Sequence, residues 1–312
     1  KKNITQKILK EIIEKINSRF IKFYANCIAS NYKNGQNFTP KNISKEVENK
    51  FIHLNYFVKK IKKNKNFYEI YCEKDNNKII IKTKKLVLAA GTIATTKLVC
   101  EMLNYKKKIK INHNPMLFGC FLLKNSFKVK ESNFLPSKLA AEIISNKNKF
   151  KATANFRGSN FMIRNKIFNN YFIMKNYFLQ KIYKKLENKL LFINLYLDNH
   201  FSNLYFNFTN ESASISTNCK NLKKIRDELN NNYNKIYKIL NKQSVISPLR
   251  YSFVPKMGTD NHFTGTIPIS KNNKTLTVNE KCELKEHKNF FIIDGSVIPK
   301  TNLKFPTGLI IS

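Results

Sequence analysis

Lys85-Leu-Val-Leu-Ala-Ala-Gly91 is the segment that most narrows what this chain can become. An apolar run with no polar alternation, ending in small residues, reads as a buried strand of the parallel kind. Thr92 to Leu103 follows with helical spacing, and Thr92 is the N-cap candidate. A strand that ends in Ala-Ala-Gly at a helix start leaves backbone N–H groups free and little side-chain bulk, so a nucleotide can approach closely. Tight strand-to-helix turns that serve only packing have the same appearance, so the segment fixes a local fold before it fixes a function.

The rest of the chain arranges itself around that unit. Ile4, Ile8, Ile12, Ile13 and Ile16 fall at helical spacing, so residues 4–20 predict an amphipathic helix, and the polar stretch after it reads as a loop. Three strand-like runs, at 51–61, 67–73 and 78–83, predict a small antiparallel meander. Between 113 and 255, helical segments at about 170–187 and 221–241 lie among the strand-like runs LLFINLYL, NLYFNFT and SASIST. That pattern predicts an antiparallel sheet with helices on one face. The last segment returns to glycine-punctuated turns: HFTGTIPIS, a hairpin-like TLTVNEKCEL, a buried strand Phe290 to Ile293, Asp294-Gly-Ser296, and a helix opening near Pro306. An Asp at the carboxyl end of a buried strand lies where open α/β sheets bind ligands.

The net charge of +37 would ordinarily imply a polyanionic partner. However, only Arg19, Arg157, Arg164, Arg226 and Arg250 are arginines; the other cations are lysines, among abundant Asn, Ile and Phe. Those residues share adenine- and thymine-rich codons, so an AT-biased genome accounts for the profile without specific nucleic-acid binding. Nucleic-acid readers rely on arginine for bidentate contacts. The six cysteines are scattered with no C-x-x-C pair, which supports neither a zinc site nor a disulfide framework. With no apolar run of about 20 residues, the expectation is a soluble, cytoplasmic protein without a transmembrane segment.

Three separated motifs resemble one family, the glucose-methanol-choline (GMC) flavin oxidoreductases. VLAAGTIATTKLV is similar to their strand-turn-helix, and HFTGT to their H-x-x-G-T segment. IIDGSVIPKTNLKFPTGLIIS is similar to their V-x-D-[GA]-S-x-x-P ending. The order agrees with the family, with Asp294 falling 32 positions after His262. HFTGTIPI also resembles the H-x-G-G-T-x-P-M segment of GMC-like proteins associated with polysaccharide biosynthesis. The family opens with a strand-G-x-G-x-x-G-helix unit, whereas the glycines here, at 35, 91, 119, 158, 258, 265, 295 and 308, never fall two apart. The resemblance therefore implies an α+β to α/β fold: part of a Rossmann-like FAD-binding domain without its G-x-G-x-x-G unit, plus a substrate domain of antiparallel sheet and flanking helices. Residues 1–112 and 256–312 would form the former, 113–255 the latter, and the amino-terminal nucleotide half would lie elsewhere.

The same resemblance implies a chemistry. A small alcohol or sugar would lose hydride to FAD while His262 takes the hydroxyl proton, a role suited to a group that titrates near neutrality. Val58 would bind adenine through its backbone, and Ala90 and Gly91 would border adenine or ribose. Asp294 and Gly295 would lie by the pyrophosphate and ribityl chain, and Pro306 and Thr307 at the isoalloxazine ring. The family's second polar catalytic residue falls eleven positions after Asp294, on Phe305, which can neither accept a proton nor bond an alcohol oxygen. Asn302 is the nearest polar substitute. Taken alone, a histidine before Phe-Thr-Gly is a structural residue and Asp-Gly-Ser is a turn. His53, His113, His200 and His287 join no constellation. The alternative expectation is a degenerate, non-catalytic member with a structural or binding role.

Overall fold

A computed structural model describes residues 21–25, 54–124, 139–144, 150–158, 176–209, 212–259, 262–271 and 276–299. In chain order the strands are β1 (Ile21–Ala25), β2 (Phe57–Lys63), β3 (Tyr68–Lys74), β4 (Asn77–Thr83), β5 (Leu86–Leu88), β6 (Ile109–Ile111), β7 (Met116–Leu123) and β8 (Leu139–Ile144). They continue with β9 (Phe150–Arg157), β10 (Leu190–Leu197), β11 (Leu204–Phe208), β12 (Ala213–Thr217), β13 (Ile246–Phe253) and β14 (Phe290–Ile292). Three α-helices are described: α1 (Thr92–Leu103), α2 (Tyr177–Leu186) and α3 (Leu222–Lys242). The expected helix at 4–20, its following loop and the helix near Pro306 lie outside the described residues.

Two compact units divide these elements. The first holds β1, β7 to β10, β13, α2 and most of α3. The second holds β2 to β6, β11, β12, β14 and α1. β11 joins the second unit because Leu204 to Phe206 pair with Ile109 to Ile111.

The first unit is a six-stranded sheet in the order β1-β8-β9-β10-β7-β13, antiparallel throughout. Alternation explains its layering: in β10, Ile193, Leu195 and Leu197 are fully buried, while Phe192, Asn194 and Tyr196 project from the opposite face. The buried face receives α3, whose Ile225, Leu229, Tyr233, Ile236 and Leu240 recur at helical spacing. The Tyr233 ring stacks on Phe121 at 5.0 Å between centroids. Gly119 permits that approach, since a Cβ there would lie 2.5 Å from Tyr233 Cε2 and 2.8 Å from Ile193 Cγ2. An antiparallel sheet covered by a helix was expected here and is present, but of the three runs expected in it only LLFINLYL belongs, as β10; NLYFNFT and SASIST form β11 and β12 of a separate sheet with β6.

The second unit contains the meander β2-β3-β4, the sheet β12-β11-β6 and the parallel pair β14-β5. Its core joins Leu88, Val99, Ile111, Phe206, Phe290 and Ile292. The run Leu86 to Leu88 is parallel to its partner as expected, but its burial is one-sided. Leu86 and Leu88 are buried while Val87 is 50% exposed, because among the described residues the two-stranded sheet is covered on one face only.

Candidate functional site

The three motifs meet in the second unit, at the carboxyl ends of β5 and β14. β5 runs out into Ala89, Ala90 and Gly91, all exposed. Gly91, with φ of 84°, is the N-cap of α1, and no side chain caps that helix start. Thr92, the expected cap, is instead the first helical residue, and its hydroxyl donates to the carbonyl of Phe263 at 2.6 Å. The left-handed φ requires glycine at this turn. A Cβ on Gly91 would meet nothing within 4 Å.

Asp294 closes the strand ends together. Its Oδ2 accepts from the Gly91 N–H at 2.9 Å and the Thr95 hydroxyl at 2.5 Å. Its Oδ1 accepts from the Ser296 N–H at 2.9 Å and the Ser296 hydroxyl at 2.6 Å. Four donors occupy a carboxylate that is 8% exposed, so both oxygens are committed within the protein. Asp294 is therefore a staple between the two parallel strand ends, and a ligand beside it would meet backbone and small side chains.

The HFTGT segment is laid along this turn. N–H groups of Gly265, Ile267 and Ile269 donate to the carbonyls of Gly295, Ser296 and Val297 at 3.1, 2.9 and 2.9 Å. On its other edge Thr264 exchanges two backbone bonds with Asn112, each 2.9 Å. Gly265 has φ of 71°, and a Cβ there would fall 2.4 Å from Asn112 Nδ2 and 2.9 Å from the Ile298 carbonyl oxygen. Threonines fasten the segment to α1: Thr96 Oγ1 donates to the Thr92 carbonyl at 2.5 Å and lies 2.6 Å from Thr266 Oγ1. With its proton committed to Thr92, the Thr96 oxygen accepts from Thr266. His262, half-buried, directly precedes Phe263, whose carbonyl is held by Thr92.

Ala90, Gly91, Asp294, Gly295 and the segment that begins at His262 are thus brought into one hydrogen-bonded knot. Val58 lies on β2, the edge strand of the meander, half-buried against the core of the same unit. Pro306, Thr307, Phe305 and Asn302 lie outside the described residues. Sequence reasoning missed Thr95, Thr96 and Asn112, and read Thr92 only as a helix cap. The signal was available in T-x-x-T-T at 92, 95 and 96, a polar stripe on one face of a helix otherwise read as core. His113, left unassigned, is fully buried. Its Nε2 lies 3.2 Å from Asn203 Oδ1 and 3.3 Å from the Asn203 amide nitrogen, fixing the chain after β6 to the start of β11.

The knot suits a nucleotide cofactor on its own geometry. An uncapped helix start, exposed alanines and a glycine with open space beside it let a phosphate or sugar reach backbone donors without displacing a side chain.

This geometry defines a nucleotide-type turn at the end of a parallel strand pair, in a chain that also carries a separate antiparallel sheet unit. Residues 201–312 match the family model described as GMC oxidoreductase, and that segment is similar to the family's carboxyl-terminal portion. Solved structures share the fold. Formate oxidase superposes with a TM-score of 0.62 at 12% identity, over 95% of this chain and 66% of that one. Pyridoxine 4-oxidase from Mesorbium loti gives 0.55 at 11% identity, over 82% and 55%. A formate oxidase from Aspergillus oryzae, studied for the effect of a mutation on FAD modification, gives 0.53 at 13% identity, over 89% and 60%. The chain therefore spans between about half and two thirds of the length of these proteins. No curated protein matches it in sequence. FAD is the cofactor of the family, and among the described residues no helix is long and apolar enough to cross a membrane.

Proposed function

We propose that the protein is an FAD-dependent oxidoreductase that oxidises a CH–OH group of a small alcohol or sugar, with His262 as the proton acceptor. The observation that carries this reading is the convergence of three motifs, far apart in sequence, on the knot around Asp294. When bound, FAD supplies the redox chemistry by accepting hydride; the protein's residues hold and orient. Ala90 and Gly91 would let the cofactor come close because they carry little or no side chain, Gly295 would support that turn from beneath, Val58 would meet adenine from its edge strand, and Pro306 with Thr307 would meet the ring. Asp294 would act through the turn it staples. Residues 1–112 with 256–312 would form the flavin-facing portion and 113–255 the substrate portion, except that β11 and β12 go with the former, since β11 pairs with β6 and β12 with β11, and β1 goes with the latter, since it pairs with β8.

For His262 the work is proton transfer. A neutral imidazole accepts the alcohol proton on one ring nitrogen as the C–H bond breaks. A member that binds flavin without turning over is the second reading, favoured by Phe305 at the position of the family's second polar residue.

The test is a visible spectrum followed by anaerobic reduction. The protein, expressed from its complete reading frame, should show flavin bands near about 370 and 450 nm, and a panel of alcohols and sugars should bleach them. His262→Ala should keep the bands and lose roughly 10²- to 10⁴-fold in reduction rate. Missing bands would sink the cofactor assignment. Bands that no substrate bleaches would favour the second reading.

A further inference from the structure

The helix α2 presents a surface that the site around Asp294 does not use. The Asn176 side chain accepts from the Phe178 N–H at 2.9 Å and sets where the helix starts. From that start, residues four apart line up in rows along the helix. Leu179, Tyr183 and Glu187 form the row against the protein, with Tyr183 and Glu187 buried. Phe178, Ile182 and Leu186 form the next row, in which Phe178 is 67% exposed, Ile182 39% exposed and Leu186 half-buried. Tyr177, Lys181 and Lys185 form a third row, exposed along its length, and Lys184 is exposed as well. Between Tyr177 and Leu186 there is no carboxylate.

A single exposed apolar side chain is ordinary. Here two aromatic rings and an isoleucine are exposed from Tyr177 to Ile182, beside a row of cations. A second copy of the chain would bring a charge of +37 against the same charge. Protein interfaces in general are depleted in lysine. A bilayer containing anionic lipid offers both rows what they lack. Acyl carbon lies at the depth of Phe178 and Ile182, and headgroup phosphate and carboxylate lie just above it, within reach of the long lysine stems. The Tyr177 ring suits the boundary between those levels.

We propose that α2 is a membrane-surface contact, which seats the protein on an anionic bilayer with Phe178 and Ile182 at acyl level and Lys181 and Lys185 among the headgroups. The helix lies on the membrane and does not cross it. Two side chains bury less apolar surface than one acyl chain, so the contact is reversible and needs the charge as well. It is independent of the flavin, and a protein without flavin would bind the same vesicles.

The chain has no tryptophan, so Phe178→Trp places a fluorophore at this position alone. With vesicles of phosphatidylcholine containing about 30% phosphatidylserine, its emission should move to shorter wavelength and be quenched by lipids brominated in the acyl chain. With phosphatidylcholine alone both changes should be weak. A chain this basic adsorbs to anionic vesicles through any face, so the deciding comparison holds the charge fixed. Phe178→Ser with Ile182→Ser should lower the vesicle partition coefficient roughly tenfold or more, as for the loss of partly inserted apolar side chains. The same pair should remove most of what stays bound at about 0.5 M salt, where headgroup attraction is screened. Phe178→Leu, which keeps an apolar side chain, should retain most of the binding. Phe57→Ser with Ile80→Ser, at meander residues at least as exposed, should change the coefficient less than about twofold. Lys181→Gln with Lys185→Gln should cost roughly tenfold on anionic vesicles and nothing on phosphatidylcholine. Emission that anionic vesicles leave unchanged would overturn the proposal. Equal partitioning of the two serine pairs would also overturn it, since adsorption would then be by charge alone. Sedimentation velocity tests the other occupant: a dimer that Phe178→Ser with Ile182→Ser dissociates would assign the row to a second copy and overturn the membrane contact.

Discussion

The knot around Asp294 and the polar stripe of Thr153, Asn155 and Arg157, which lies on the face of β9 turned away from Ala152, Ala154 and Phe156, are both largely withdrawn from water, yet they are completed differently. In the knot every oxygen of the carboxylate has its donors, and the threonines of α1 pass their protons to named acceptors. In the stripe a guanidinium nitrogen and a hydroxyl remain without partners. A buried polar group that is satisfied internally stabilises a particular backbone path; one left over costs free energy until something else pairs with it. The first arrangement is therefore architecture that fixes a turn, and the second is a place where the fold carries an uncompensated desolvation cost.

Removing the carboxylate should give the largest effect. Asp294→Ala leaves the Gly91 and Ser296 N–H groups and two hydroxyls without an acceptor in a site closed to water. A loss of roughly 3–5 kcal/mol in unfolding free energy is expected, because four charge-assisted bonds go at once and do not add fully. Urea denaturation checks it. A loss below about 1 kcal/mol would mean that water reaches the knot and that the comparison is wrong on this side. Thr95→Val is the intermediate case, since it removes one donor to Asp294 and the acceptor of the Ala90 N–H. It should cost about 1–3 kcal/mol by the same measurement.

How legible these regions were in the sequence follows the same line. α1 and β10 were readable in their bounds, Thr92 to Leu103 and Leu190 to Leu197, because Gly91 marks the start of the first and the second is a short, nearly continuous apolar run. The strands of the meander were placed within a few residues at their inner ends, and their expected start at 51 differs from the observed Phe57. β8 and β9 were not read as strands. In KATANFR the core-facing residues are Ala152, Ala154 and Phe156, and the alternate positions Thr153, Asn155 and Arg157 are polar yet half-buried or buried. A strand with small residues on one face and polar residues on the other has little hydrophobic contrast to detect. For the knot, the three motifs were legible as local turns, but their fastening was not. Thr92 and Thr96 bond to Phe263 and Thr266 across 171 and 170 residues of chain, a pairing that local pattern cannot supply. The role expected of Asp294 as a direct cofactor neighbour also changed, since only the structure reveals that its oxygens are already taken.

The smallest effect is the most discriminating, because its sign is at issue. Thr153→Val makes the same chemical change as Thr95→Val, a hydroxyl exchanged for a methyl in a buried β-branched residue. In the stripe the lost hydroxyl bonds to nothing, so the substitution removes a desolvation cost and breaks no bond. Valine also keeps the branched shape that suits a strand. The expected change is from nil to a gain of about 1 kcal/mol, against a clear loss for Thr95→Val in the knot. Equal losses at both sites would show that Thr153 is bonded in solution, and the contrast between the two regions would then fall.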